Sequence, residues 1–562
     1  MRAKGNGLLT SAADCRMGGL NWMKPFRSST ITAKPLLARL VAMFAVAAAS
    51  VQLGWTQNVL TYHSDNARTG QYVHETVLRP ANVNEAGFGK LFVIHVDGKV
   101  DAQPLIVLRL AIPARGIHNV LFIATENDSV YAFDAGTGAG LWHVRLLKPG
   151  ETPSDPRNCS QVIPEIGITS TPVIDPKSGA HGSIYTVAMS KDRVGQYFQR
   201  MHALDLTTGR EEFGGPVDIQ ADYPGRGAGS RNGEQVFDPK QYEERAGLLL
   251  LNHVVYLAWA SHCDIDPYTG WVMGYDERSL RQTSVLDFTP NGSEGSVWQS
   301  GAGMGADAEG NIYFLAANGT FDTRLNAKGL PSRGDYGNAF LKLSTADGLL
   351  RVADYFAMAN VVHENQTDED LGSGGALVLP DLKDAKGRVW HLAVGAGKDR
   401  NIYLVNRDHM GKFSPRNNGS IYQELPAALG GQEFAMPAYF EGKLYYGAVN
   451  DHLRAFGFKQ ARLSPQPVSK AVAEFVYPGA TPAISSNGAI DGIVWAAENG
   501  DPAILHAYGA NNLAHELYNS NQAGKRDHFG TGNKFITPVI ANGKVYVGTT
   551  DGVGVFGLLP HR

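Results

Sequence analysis

Cysteine is scarce: the chain of 562 residues carries three, Cys15, Cys159 and Cys263. No C-x-x-C-H run occurs, which excludes covalently attached c-type haem, and no Cys/His grouping has the spacing of a zinc site. Charge of one sign is lacking too. Lys and Arg number 50 against 54 Asp and Glu, a formal net charge of -4 with no long basic or acidic block. Nothing in that balance calls for a nucleic-acid partner.

Long apolar runs are almost absent. The one that stands out, LVAMFAVAAASVQLG at 40–54, follows Lys24, Arg27, Lys34 and Arg39, the order of parts in a secretory signal. It is shorter than the ~20 apolar residues of a membrane span. Residues 1–57 therefore read as a signal peptide with an upstream extension, Met23 being a second candidate start. The mature protein is expected to be periplasmic or secreted, with no membrane span. Cleavage removes Cys15 and leaves an even pair in an oxidising compartment. A Cys159–Cys263 disulfide is the expected arrangement, and two separate buried thiols are the alternative.

What the chain has in plenty is glycine, 65 residues, and one short strand that keeps returning. VYAFD at 130–134 has counterparts in MHALD (201–205), VMGYD (272–276), FLKLS (340–344), IYLVN (402–406), LRAFG (453–457), LHAYG (505–509) and VGVFG (553–557). Each alternates apolar and polar positions and ends at a turn. Two more strands of the same grammar precede most copies, as TSTPVID (169–175) and SIYTVAM (183–189) do. Short antiparallel strands in repeating units of this length predict an all-β, eight-bladed β-propeller of four-stranded blades. The last unit runs out after three strands, so FGKLFVIHV at 88–96 is expected to supply its fourth and close the ring. The propeller then spans 88–559, preceded by a segment at 58–87 and followed by a tail at 560–562. The insertions at 210–245 and 319–338 are expected to be surface loops.

The run AFDAGTGAGLW at 132–142 fits A-x-D-x-x-T-G-x-x-x-W and resembles the tryptophan-docking repeat of the pyrroloquinoline quinone (PQQ) propeller family. That family includes quinoprotein alcohol dehydrogenases and non-catalytic assembly scaffolds, so the resemblance bears on fold before activity. It implies PQQ as cofactor and a set of site residues. Trp298 and Asn318, in the stretch from SVWQSGAGMG onward, match the family's cofactor-floor Trp and calcium-binding Asn. Asp370 in DLGSGG matches its catalytic base, which also binds the metal, and Lys398 in GAGKDR its quinone-contacting cation. Thr169 in TSTP matches a cofactor-contacting Thr.

The departures count against calcium. The turn at 189–199 carries Lys191 and Asp192 where the family has a calcium-binding Glu, and a hard cation needs about six to eight oxygen ligands. Glu126 or Glu165 would have to substitute. The family's adjacent Cys pair is missing as well. Two functions follow: an enzyme that oxidises an alcohol or sugar and passes electrons to a separate carrier, or a non-catalytic propeller that binds an envelope protein partner. A hydrolytic role finds no G-x-S-x-G nucleophile motif in a suitable context.

Overall fold

A computed structural model describes residues 57–560; the signal-peptide reading of residues 1–56 and the end of the 560–562 tail lie outside the described residues. Eight sheets of four or five strands make the blades, with two small two-stranded hairpins beside them. Among the described residues helix is confined to Val361–Thr367 and four short 3-10 turns. No helix there is long and apolar enough to cross a membrane.

All eight copies of the recurring strand are third strands of blades, from Ser129–Asp134 in blade 1 to Gly552–Leu558 in blade 8. Their turns explain the repeat. Asp134 accepts from the backbone N–H of Gly136 and Thr137 and from the Thr137 hydroxyl at 2.9–3.0 Å, and Gly138 completes the turn at φ 73°. Trp142, on the fourth strand of blade 1, donates its Nε1–H to the Leu206 carbonyl of blade 2 at 2.9 Å. It lies so close on Gly209 that a Cβ there would meet the indole at 2.6 Å. Blade 8 docks on blade 1 in a related way, through the Tyr546 hydroxyl and the Ala135 carbonyl at 3.1 Å.

Ring closure is as expected: Phe88–His95 pairs antiparallel with Gly552–Leu558, Phe88 opposite Leu558 and His95 opposite Gly552. The segment before it does more than the sequence suggested. Between Val59 and Glu75 it runs around the inner wall and meets each blade in turn. Its backbone pairs with Ile106, Ile174, Ala306, Val378, Tyr439 and Ile484, the Asn66 amide donates to Leu250, and the Glu75 carboxylate accepts from Gly543. Arg68, fully buried within this segment, donates to the carbonyls of Tyr62, Leu248 and Met304 and to the Thr61 hydroxyl.

The two insertions are not simply surface loops. In 210–245, Phe237 stacks on Tyr242 at 5.0 Å and meets Trp259 edge-on at 4.9 Å, all three buried. Tyr242–Glu244 adds a strand to blade 3. In 319–338, Phe321 and Tyr336 pack on Tyr355. These segments carry large aromatics that the short blades leave room to bury.

Gly209 holds φ 68° beneath the Trp142 indole. Gly209→Ala is expected to cost about 2 kcal/mol through backbone strain and displaced indole. Urea unfolding of the variant beside the parent checks this; an unchanged midpoint would mean that the docking contact carries no weight.

Candidate functional site

The blades share one register. Counting back four residues from each first strand gives Asp101, Thr169, Arg245, Gly301, Ser373, Phe434, Gly479 and Phe535. Repeated geometry brings this offset to one level of the axis, so that Asp101, Thr169, Arg245, Gly301 and Phe535 line a single water-sized cavity. Slightly earlier in three connectors stand Trp298, Asp370 and Tyr477, which line a larger chamber of about 340 Å³ together with Arg245, Phe434 and Phe535. That volume is in the range of small-molecule sites, roughly 300–1,000 Å³.

Of the residues singled out from sequence, Trp298, Asn318, Asp370, Lys398, Cys159 and Cys263 all line this chamber. Trp298 sits at the head of a tight turn in which Gln299, Ser300 and Gly301 take φ of 40°, 52° and 86°. The Gln299 amide ties that turn to Leu315 of blade 4, and the Ser300 hydroxyl to Ser373 of the next connector. Trp298 Nε1–H donates to Asp370 Oδ2 at 3.2 Å. Lys398 Nζ lies 2.7 Å from Asp370 Oδ1 and 2.6 Å from Asp368 Oδ1. Asn318 Nδ2 donates to the same Asp368 at 2.8 Å, while Asn318 Oδ1 is buried without a partner.

Four rings close a loop around the chamber. Centroid separations are 5.9 Å for Trp298 and Phe434, 5.7 Å for Phe434 and Tyr477, 6.3 Å for Tyr477 and Phe535, and 6.2 Å for Phe535 and Trp298. A cation attends each ring: Lys398 lies 5.9 Å from Trp298 and 6.0 Å from Phe434, Lys534 5.9 Å from Tyr477, and the Arg245 guanidinium 5.0 Å from Phe535.

Burial pushes the Asp370 carboxyl up from its ordinary range, against the pull of Lys398 and the Trp298 N–H. Burial also works against the Lys398 ammonium, yet Asp370 and Asp368 outweigh it and raise its pKa. Glu243, paired with Arg245 at 3.0 Å, is raised by burial despite that partner. Lys534 is lowered by burial and then by Lys99 and Arg245, and its ammonium donates to the Gln161 side chain at 3.1 Å.

Thr169 is not part of this chamber. It lies in the neighbouring water-sized cavity, its hydroxyl donating to Glu126 at 2.9 Å. The same Glu126 carboxylate accepts from the Gly167 N–H at 2.7 Å. Neither Glu126 nor Glu165 is among the chamber's lining residues, whose carboxylates are Glu243, Asp264, Asp368 and Asp370. Lys191 is engaged by Asp155 at 2.6 Å, away from the chamber. Among the described residues no three His, Cys, Asp or Glu side chains are grouped to hold a metal ion, and the Lys398 ammonium fills the place between Asp368 and Asp370. The donor set does not fit calcium.

Cys159 and Cys263 form a disulfide, with Cα atoms 5.8 Å apart and a sequence separation of 104. It joins the connector ahead of blade 2 to a loop of blade 3 at the chamber's edge. Arg245, Phe434, Tyr477 and Phe535 escaped the sequence reading. The signal for three of them was there, in the constant offset before each first strand.

No protein-family model matches the sequence, and no curated protein does. Solved structures do match. The chain is similar to a quinohemoprotein alcohol dehydrogenase from Comamonas testosteroni with TM-score 0.58 and 13% identity, over 90% of this chain and 82% of that one. Another from Pseudomonas putida HK5 gives 0.57 and 12% over 90% and 82%. A europium-containing methanol dehydrogenase gives 0.57 and 12% over 89% of this chain and 98% of its own. At such identities the likeness is one of fold.

Lys398→Met leaves Asp370 buried without its cation, which is expected to cost about 3–5 kcal/mol at pH 7. The lost cation raises Asp370 further above its ordinary 3.8. The penalty therefore grows as pH climbs from that value through the raised one and is smallest at the acid end. Denaturant titrations at pH 4.5 and 7, with Asp370→Asn added to relieve the loss, check the sign. For the disulfide, replacing both cysteines by serine is expected to cost roughly 2–5 kcal/mol, since its loop is long; calorimetry with and without reductant measures it.

Proposed function

We propose that the chamber binds a flat, anionic quinone of the PQQ type and that the protein is an exported oxidoreductase. Its substrate is an alcohol or sugar, and a separate carrier takes the electrons. The observation that carries this reading is the convergence of Trp298, Asp370 and Lys398 on one axial chamber, with Nε1 to Oδ2 at 3.2 Å and Nζ to Oδ1 at 2.7 Å. The fold likeness to quinohemoprotein alcohol dehydrogenases supports it. The disulfide suits a periplasmic or secreted location.

The residues present fit such a group. Four rings offer flat faces for stacking, and Arg245, Lys398 and Lys534 surround them with positive charge for carboxylates and quinone oxygens. When bound, the quinone supplies the two-electron acceptor. Trp298 would hold its plane. Asp370, almost fully buried, would take the hydroxyl proton of the substrate as hydride leaves carbon, and Lys398 would keep that carboxylate ionised until it does. Calcium has no part in the proposal. A cofactor-free binding propeller remains the second reading, favoured by the Lys398 ammonium, which already neutralises two chamber carboxylates.

The test is calorimetric titration of the purified chain with PQQ, followed by dye reduction with a panel of alcohols and sugars. Saturable one-to-one binding is expected, weakened about tenfold or more in Trp298→Ala. Asp370→Asn is expected to retain binding and lose roughly 10²–10⁴ in turnover. Absence of saturable binding by the parent would hand the case to the scaffold reading.

A further inference from the structure

Among the described residues, Phe535 is the one shared by the chamber and the two water-sized cavities that adjoin it. The first of these is polar, lined by Tyr62, Thr169, Arg245 and Lys534. The second is more apolar, with Pro478, Ala480, Ala497 and Ile536. The ring stands edge-on to Trp298 at 84° and to Tyr477 at 79°, and the Arg245 guanidinium covers it at 5.0 Å.

Its backbone is as unusual as its position. Phe535 holds φ 63°, a left-handed conformation that a bulky side chain rarely takes and that is characteristically retained at sites of function. The equivalent offset in blades 4 and 7 is glycine, Gly301 and Gly479, both also at positive φ. Glycine would sit in this conformation without strain. The strained choice places an aromatic wall across the axis where glycine would leave an opening.

We infer that Phe535 is a specificity-determining partition: its ring ends the chamber and so limits the length of the ligand that the axis accepts. The inference rests on the chamber being the ligand site of the preceding reading, though not on the identity of the cofactor. Arg245 is shared with the first cavity and Phe434 with the second, so removing the ring takes away the one wall common to all three and is expected to lengthen the chamber toward Thr169 and Tyr62.

The experiment titrates the full chain with benzoate, biphenylcarboxylate and terphenylcarboxylate. These rods match the aromatic walls and flanking cations and differ only in length. In the parent, affinity is expected to fall at least about tenfold at one member of the series. Phe535→Gly, which suits the backbone conformation, moves that fall to a longer member, while Phe535→Leu keeps the parent's limit. Thermal midpoints accompany the titrations to show that both variants fold. A limit unchanged in Phe535→Gly, a uniform loss across the series, or no binding of any rod by the parent would each overturn the inference. A shifted limit without PQQ binding would uphold it and refute the quinone alone.

Discussion

The central constraint on this molecule is what to do with the inside of the ring. The first strand of each blade presents an inner edge whose backbone groups must be paired or hydrated. The segment from Val59 to Glu75 resolves this by taking hydrogen bonds from blade after blade. Arg68 at its centre turns a buried charge into a hub, spending its guanidinium on carbonyls from Tyr62, Leu248 and Met304. Burial lowers its pKa to about 10, which leaves it charged at neutral pH. From this segment Tyr62 reaches the water-sized cavity beside the chamber.

Charge in the chamber and beside it is arranged in local pairs. Lys398 serves Asp370 and Asp368, Arg245 serves Glu243, and Lys99 lies 3.0 Å from Asp101. Outside the chamber's lining, the Glu126 carboxyl is pushed well up by burial and then by neighbouring Asp101. Lys534 alone relies on a neutral amide. Aromatic rings stand between these pairs, each with a cation at hand. These groups are fixed by the blades before any guest arrives.

Much of the fold was legible because strand alternation and D-x-x-T-G turns are local signals, repeated often enough to be counted. The donated strand Phe88–His95 was legible by default, as the one strand without a partner. The axial segment was not, since its residues follow no period and its stability comes from bonds to eight separate blades. At the site, Trp298, Asp370 and Lys398 could be found through resemblance, whereas Arg245, Phe434 and Phe535 emerge only once the short first strands are located. Thr169 shows the limit of motif matching: it lies four residues ahead of the strand Val173–Asp175, in a cavity that shares Arg245 and Phe535 with the chamber.

The pairing of Phe88–His95 with Gly552–Leu558 joins segments at opposite ends of the propeller sequence. Such distant contacts form late and slowly. A chain still emerging from the ribosome can stack its blades into a crescent, but it has no closed axis until Leu558 has been made. Closure of the ring thus comes after every residue that lines the chamber, the last of which is Phe535, has been made.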